Sequence, residues 1–485
     1  MGLRINTNVA ALEALRNLSS TDRAQRRSLE RLSTGLRINR ASDDPSGLVI
    51  SEQLRAQVRS LKQAIENSQN ASNTVGTAEA ALNEVSSLLL RVRESVVFAL
   101  NSNSPEQVAA EQDAVDNAIS SIDRISQTTR FANRKLLDGS AAIQLTSTIG
   151  SGLSDVNVQN AQFDGVSQLS LRVTLARIAS RAGGADLFTN AFQSATANTT
   201  IRLIGPKGTE DIVLASGATS ANFRSAVNAF TGNTGAYVSA GRLYTVDFGE
   251  NQTISLEVIA GGVRFGATAF DTTSGIRSDA GRDAAAAVQG ATVSAKGNNL
   301  RVLSSFFTGD ITLKDGVTTG ANFNFKIKRT GLVFQLNTSD AISDRERIGL
   351  RNVDSSALGT KVRTIVGQAG NTVTIGGFLS TLVSGGSNDL DSNAENAMRI
   401  VDAVIDQITD TRAYLGAFQS FTLDTNVASL EVASENLAAS ESAIRDLDFA
   451  EETSELTRVQ ILAQSGLSVL AQANQSAQAV LALLR

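Results

Sequence analysis

Catalysis at neutral pH draws most often on His, Cys and paired carboxylates, and this 485-residue chain has no His and no Cys. Without Cys there is no disulfide, no thiolate nucleophile and no Cys-based metal site. Without His the commonest general base and the commonest metal ligand are gone. Carboxylates remain, and a pair of them could hydrolyse a glycoside or hold Ca²⁺. No segment marks such a pair, so the expectation is a non-enzyme with no cofactor and no resident metal. One charged group is placed suggestively, in LLLRVRESVV, where Arg91, Arg93 and Glu94 sit close together on a predicted helix. A solvated helix face accounts for them.

Charge elsewhere separates by position. Residues 1–62 hold 11 Lys/Arg and 6 Asp/Glu, whereas residues 394–485 hold 5 and 13. A basic beginning suits nucleic acid, but it lacks interleaved aromatics and the same chain supplies an acidic counterpart. Attraction between the two ends is the simpler reading, with no nucleic-acid partner. The start lacks the basic and apolar regions of a cleavable signal peptide. Charged or amide residues interrupt every apolar run, so no membrane insertion is expected.

The elements that must carry these groups are helical at both ends. From Leu54 to Ala99, apolar or small residues alternate at spacings of four and three, with one stutter between Val75 and Leu82. A helix from Pro45 to about Asn101 would be roughly 85 Å long and needs partner helices along that length. In ASDDPSG, Asp44 is the expected N-cap and Pro45 the first helical residue. The break separates this helix from a preceding one bearing Ile5, Val9, Leu12, Leu29, Leu32 and Leu36. A third helix is expected from Ser104 and Pro105, with Gln107 completing a capping box, and a loop at TTRFANRKLLDGS. Near Gly139 the character changes. Of 38 Gly, 31 lie between residues 140 and 390, and short alternating runs such as Thr200–Ile204 and Thr253–Ile259 read as strands. Ser220–Phe230 reads as one short helix among them. Helical period returns near Asn393 with Ile400, Val404, Ile408, Thr411 and Leu415.

The last segment has 26 uncharged residues between Arg458 and Arg485. Its heptad seam is Leu456, Val459, Ala463, Gly466, Leu470, Ala473, Ala477, Val480 and Leu484, spaced three and four without error. More Leu falls off the seam, at Leu462, Leu467, Leu481 and Leu483, so apolar surface faces more than one partner helix. Nine Gln, Asn or Ser among those 26 residues disfavour a membrane span. The fold class is therefore α+β and multidomain. Long terminal helices pair as a coiled coil and helical rod, and a central β-rich insert forms one or more outer domains.

The opening RINTNVAALEALRNL, then LERLSTGLRINRASDDPSGLVISEQLRAQ, TAEAALNEVSSLLLRVRE and the closing LAQANQSAQAVLALLR resemble bacterial flagellins, in register at both ends. GRDAAAAVQG, GLVFQLN and SSALG are similar to outer-domain pieces of larger members. The resemblance implies a structural subunit that self-assembles into the extracellular flagellar filament for motility. Residues 1–43 and 455–485 would form the inner coiled-coil layer, 44–180 and 375–454 the helical rod, and 181–374 the outer surface domains. The inner assembly interface would use Ile5, Val9, Leu12, Leu29, Leu32 and Leu36 with Leu456, Val459, Ala463, Leu470, Ala477, Val480 and Leu484. Asp44 and Pro45 would mark the switch into the rod.

The same resemblance implies partners. These are further copies in a helical homopolymer, hook-associated and cap proteins, an export chaperone at residues 456–485, and the flagellar type III apparatus that exports the chain uncleaved. Toll-like receptor 5 would meet Arg91, Arg93 and Glu94. However, Leu90 stands where Gln is usual, Ser95 where Leu is usual and Ala114 where Glu is usual, which implies weak or absent activation. Two alternatives stand beside this: the hook–filament junction protein of the same family, and an adhesion module carried by the outer domain. Some relatives house a zinc protease between the ends, but its H-E-x-x-H motif needs histidines that this chain lacks.

Overall fold

The computed structural model describes residues 8–102, 104–145, 152–163, 166–184, 187, 190–289, 291–304, 306–339, 341, 344–366 and 372–483, of which 361–366, 372–374 and 476–483 in backbone only. The helices are α1 (Val9–Thr34), α2 (Pro45–Asn101), α3 (Pro105–Thr128), α4 (Ser220–Asn228), α5 (Thr231–Thr234), α6 (Leu390–Ala417), α7 (Thr425–Arg445) and α8 (Phe449–Leu483). Two compact units result: Met1–Glu66 with Thr425–Arg485, and Asn67–Asp424.

In the terminal unit, Asn8 caps α1 by accepting the Ala11 N–H at 3.0 Å. Gly35, at φ +71°, ends it and returns its N–H to Arg31 O at 2.8 Å. That left-handed turn suits Gly because no Cβ crowds the carbonyl. The α1–α2 connection is stitched to the α7–α8 connection. Arg37 N–H donates to Arg445 O at 2.7 Å, and Leu447 N–H donates to Gly35 O at 3.0 Å. Asp44 accepts the Gly47 N–H at 2.8 Å, and α2 begins at Pro45. Gly47 is needed there, since a Cβ would lie 2.4 Å from Asp44 Oδ2 and 2.7 Å from Ile38 Cδ1. Beyond the joint, Leu61 and Ala64 of α2 pack on Leu430 of α7.

The central unit has continuous cores. Val75, Leu82, Leu89, Val92 and Val96 of α2 meet Val115, Ile119 and Ile122 of α3, and Ile400, Val404, Ile408 and Leu415 of α6. The 4,3 stripe places these residues on one side, and burying them is worth roughly 1.5–3 kcal/mol per large side chain. Ion pairs Arg412–Glu79 at 2.8 Å and Arg93–Asp402 at 3.0 Å fix α6 antiparallel to α2. A π-helical turn, Phe418–Asp424, follows α6.

Two sequence expectations fail locally. Ser104 caps α3 in an extended conformation without a side-chain cap bond, and its hydroxyl donates to Glu106 instead at 3.1 Å. The capping box with Gln107 is not formed. The expected loop at TTRFANRKLLDGS holds a small hairpin, Arg130–Phe131 with Arg134–Lys135. Ala132 (φ +45°) and Asn133 (φ +66°) make its tight turn, and Asn tolerates that region far better than Ala.

The β-rich part has two cores. A sheet ordered Arg277–Ala280, Thr253–Ala260, Thr199–Ile204, Thr209–Leu214 belongs to the first, with Phe223 and Val227 of α4 in the same cluster. Phe192 and Phe223 stack within it, their centroids 4.4 Å apart, and Phe265 meets both rings edge-on. The second core joins the sheet Thr292–Lys296, Asn299–Leu303, Phe307–Leu313, Leu153–Ala161 to the sheet Ala285–Val288, Gln168–Arg177, Asn322–Lys328. Strict inside–outside alternation in Phe307–Leu313 and Asn322–Lys328 shows why these runs become strands.

Candidate functional site

No three Asp or Glu side chains are grouped to hold a metal among the described residues. The surface that could act is the pair of terminal helices. Helix α8 lies antiparallel against α1: Asn8 Nδ2 donates to Ala473 O at 3.0 Å, and Arg31 faces Glu452 at 3.6 Å. Between those ends, a Cβ on Gly466 would sit 3.6 Å from Leu18 Cδ1, an ordinary contact. Of the predicted α8 seam, the side chains from Leu456 to Ala473 lie among the described residues. Val459 is 2% exposed, and Leu456, Ala463, Gly466, Leu470 and Ala473 are half-buried.

On α1 the seam differs from the predicted apolar stripe. Ala11, Ala14, Leu18, Thr21, Gln25, Ser28 and Leu32, again spaced three and four, are buried or half-buried. Of the predicted α1 residues, Leu32 is half-buried, as is Leu36, which bridges Asp446 in the joint. Val9 (61% exposed), Leu12 and Leu29 lie off the seam. Pattern reading passed over the small and polar seam residues because Thr, Gln and Ser do not register as apolar; their strict heptad spacing was the available signal. Ile5 and Leu484, and the side chains of Ala477 and Val480, lie outside the described residues.

Pairing covers one face of each helix and leaves the others in water. On α1, Val9, Leu12, Leu15 and Leu29 are exposed; on α8, Ile461, Leu462, Leu467 and Val469 are exposed. Among the described residues, twelve of the twenty-four exposed large hydrophobic side chains belong to the terminal unit, which holds roughly a quarter of the chain. Contiguous apolar surface of this kind marks an interaction face. Electrostatics there are exposed and local. A hydrogen bond from Arg445 holds the Glu52 carboxyl below its usual range, and Arg458 does the same for Glu455.

Asp44 and Pro45 stand at the start of α2. Arg91, Arg93 and Glu94 are exposed on α2, and Arg93 is engaged with Asp402. Leu90 is also exposed, whereas Ser95 is buried and donates to Glu111 Oε2 at 2.6 Å. Ala114 is exposed. No helix among the described residues is long and apolar enough to cross a membrane.

Helices that end a chain in an antiparallel pair and keep apolar backs define a subunit built to meet other helices. Residues 5–142 match the bacterial flagellin N-terminal helical region, and residues 398–484 match the bacterial flagellin C-terminal helical region. B-type flagellin of Pseudomonas aeruginosa is 32% identical, covering all of both chains. Flagellin D of Vibrio cholerae is 30% identical with the same coverage, and flagellin of Clostridium tyrobutyricum is 29% identical over 98% of this chain and 100% of its own. The chain belongs to the flagellin family. Solved structures of FliC from Burkholderia pseudomallei and FlgL from Xanthomonas campestris match at TM-scores of 0.23 and 0.27, each at 14% identity. They cover 72% and 81% of this chain and 98% and 99% of their own, and scores this low carry no argument about shape. Membership makes this a structural subunit of the extracellular flagellar filament, from a family that self-polymerises and meets hook-associated proteins.

Proposed function

We propose that the two chain tips are the polymerisation element: α1 and α8 pair within one copy, and their remaining apolar faces are covered by neighbouring copies around a shared axis. Residues 1–43 and 455–485 form the inner layer, Asp44 and Pro45 mark the switch into a helical rod of 44–180 and 375–454, and 181–374 face outward. The observation that carries this is the exposure of Leu462, Leu467 and Val469 on a helix that is already paired. If assembly covers on the order of 1,000 Å² of apolar surface per terminal pair, the gross gain is about 25 kcal/mol. The opposing loss of freedom is roughly 4–15 kcal/mol plus the ordering of the chain, so assembly must be strongly cooperative.

The uncharged part of α8 beyond Arg458 also suits a helix-in-groove chaperone before type III export. Catalysis has no part in this role; a stiff polymer transmits torque. Recognition by Toll-like receptor 5 is weak or absent, because Ser95 faces Glu111 and offers no leucine to a receptor pocket. Reporter cells responding at the potency of an enteric flagellin would refute that.

The main test is truncation after Glu455. Seeded polymerisation of the full chain yields pelletable fibres, and the truncated chain yields none while its central unit melts unchanged. Fibres from the truncated chain would overturn the proposal.

A further inference from the structure

A recess of about 620 Å³ lies in the terminal unit where the two helical connections meet, lined by Arg31, Arg37, Asp446, Asp448, Glu451, Glu452 and neighbouring residues through Arg458. Its lining includes five carboxylates and three guanidinium groups. Most of these charges are already engaged within the chain. Asp448 accepts the Ala450 and Glu451 N–H groups at the start of α8, Asp446 accepts from Ser442, and Glu455 pairs with Arg458. Arg37 donates to Ile444 O.

Glu452 is the exception. It is only 8% exposed, its Oε2 sits 3.6 Å from Arg31, and no donor among the described residues reaches its buried Oε1. A carboxylate oxygen held out of water with no donor is unfavourable by more than a neutral group would be. A donor brought in from outside the chain would relieve that, and a cation would relieve it best.

The same chain displays a matching cation. Arg16, Arg23 and Arg27 on α1 are exposed, and none has a hydrogen bond or ion pair among the described residues. At about 100° per residue they fall within roughly 40° of one another on the helix wheel. That stripe lies opposite the Ala11–Leu32 seam, so α8 of the same chain cannot meet it. The recess is lined by Arg31 of the same helix, but by none of the three stripe arginines of its own chain.

We infer that this recess is an electrostatic socket for a second copy of the chain, in which the Arg23–Arg27 stripe of one subunit donates to Glu452 and the exposed Glu451 of another. This rests on the filament reading and adds what that reading lacks: a polar contact that fixes register where apolar faces alone would slide. Charge complementarity sets orientation and suppresses misaligned encounters more than it adds raw affinity.

The test is seeded polymerisation of the full chain at low salt, reading the critical concentration by sedimentation. Arg23→Glu/Arg27→Glu raises it about tenfold or more, as does Glu451→Lys. All three side chains reversed in charge are exposed, so no core is disturbed. The combined chain Arg23→Glu/Arg27→Glu/Glu451→Lys recovers to within about threefold of the unaltered one. Glu452→Gln, which keeps the volume, weakens assembly and reduces its sensitivity to salt. Unaltered assembly in the single-patch reversals, or additive losses without recovery, overturns the socket while leaving the filament reading intact. Assembly that collapses in EDTA and ignores the arginine reversals overturns it in favour of a bound cation. An unaltered chain that forms no fibres overturns both.

Discussion

Helices α1 and α6 are nearly the same length, 26 and 28 residues, yet they spend their surfaces differently. Nine residues of α6 are buried, among them Ile400, Val401, Val404, Ile408 and Leu415. On α1 only Ala14 and Ser28 are buried. Helix α6 is part of a core that its own chain completes; α1 keeps most of its surface in water. On the proposed reading, stability and assembly are lodged in different units, and each can be disturbed with little effect on the other.

Replacing Leu462, Leu467 and Val469 together by Ser sharpens the contrast most. These side chains are exposed, so the melting of the isolated protein shifts within about 0.5 kcal/mol, whereas the critical concentration for polymerisation rises by about a hundredfold or more. Parallel calorimetry and sedimentation check both halves, and an equal loss in the monomer would break the comparison. Leu82→Ala tests the other side. Leu82 is fully buried in the helical core, so truncation removes about 2–5 kcal/mol from the central unit in denaturant titration. Polymerisation of the folded fraction stays close to normal. Gly47→Ala has a smaller effect, about 1–3 kcal/mol, because the new Cβ must displace Ile38 and Asp44 at the joint. Limited proteolysis between residues 36 and 47 reads that loosening directly.

The helical frame was largely legible because its signals are local. Asp44–Pro45 sets the start of α2, the 4,3 repeat sets its buried stripe, and Ile400–Leu415 on α6 appear at the expected period. The strands Thr199–Ile204 and Thr253–Ala260 were readable as alternating runs, but nothing local said that they pair with each other. The hairpin at Arg130–Lys135 was missed since its turn residues are Ala and Asn rather than the usual Asn-Gly. Half of the candidate site was visible too: the α8 seam is apolar and strictly spaced, whereas five of the seven α1 seam residues are Ala, Thr, Gln or Ser. Glu452 gave no signal at all, because burial depends on what the fold brings beside it.

By itself the sequence determined where helices start and stop, which face of α8 is a seam, and that His- or Cys-dependent chemistry is excluded. Those properties follow from side-chain type and spacing along one element, which need no distant partner. Only the tertiary structure decided that α1 meets α8 through its small residues, that Arg16, Arg23 and Arg27 are turned away from that contact, and that one oxygen of Glu452 is sealed without a donor. Such facts depend on the antiparallel approach of segments more than four hundred residues apart, where packing selects the close-fitting face of α1 over its most apolar one.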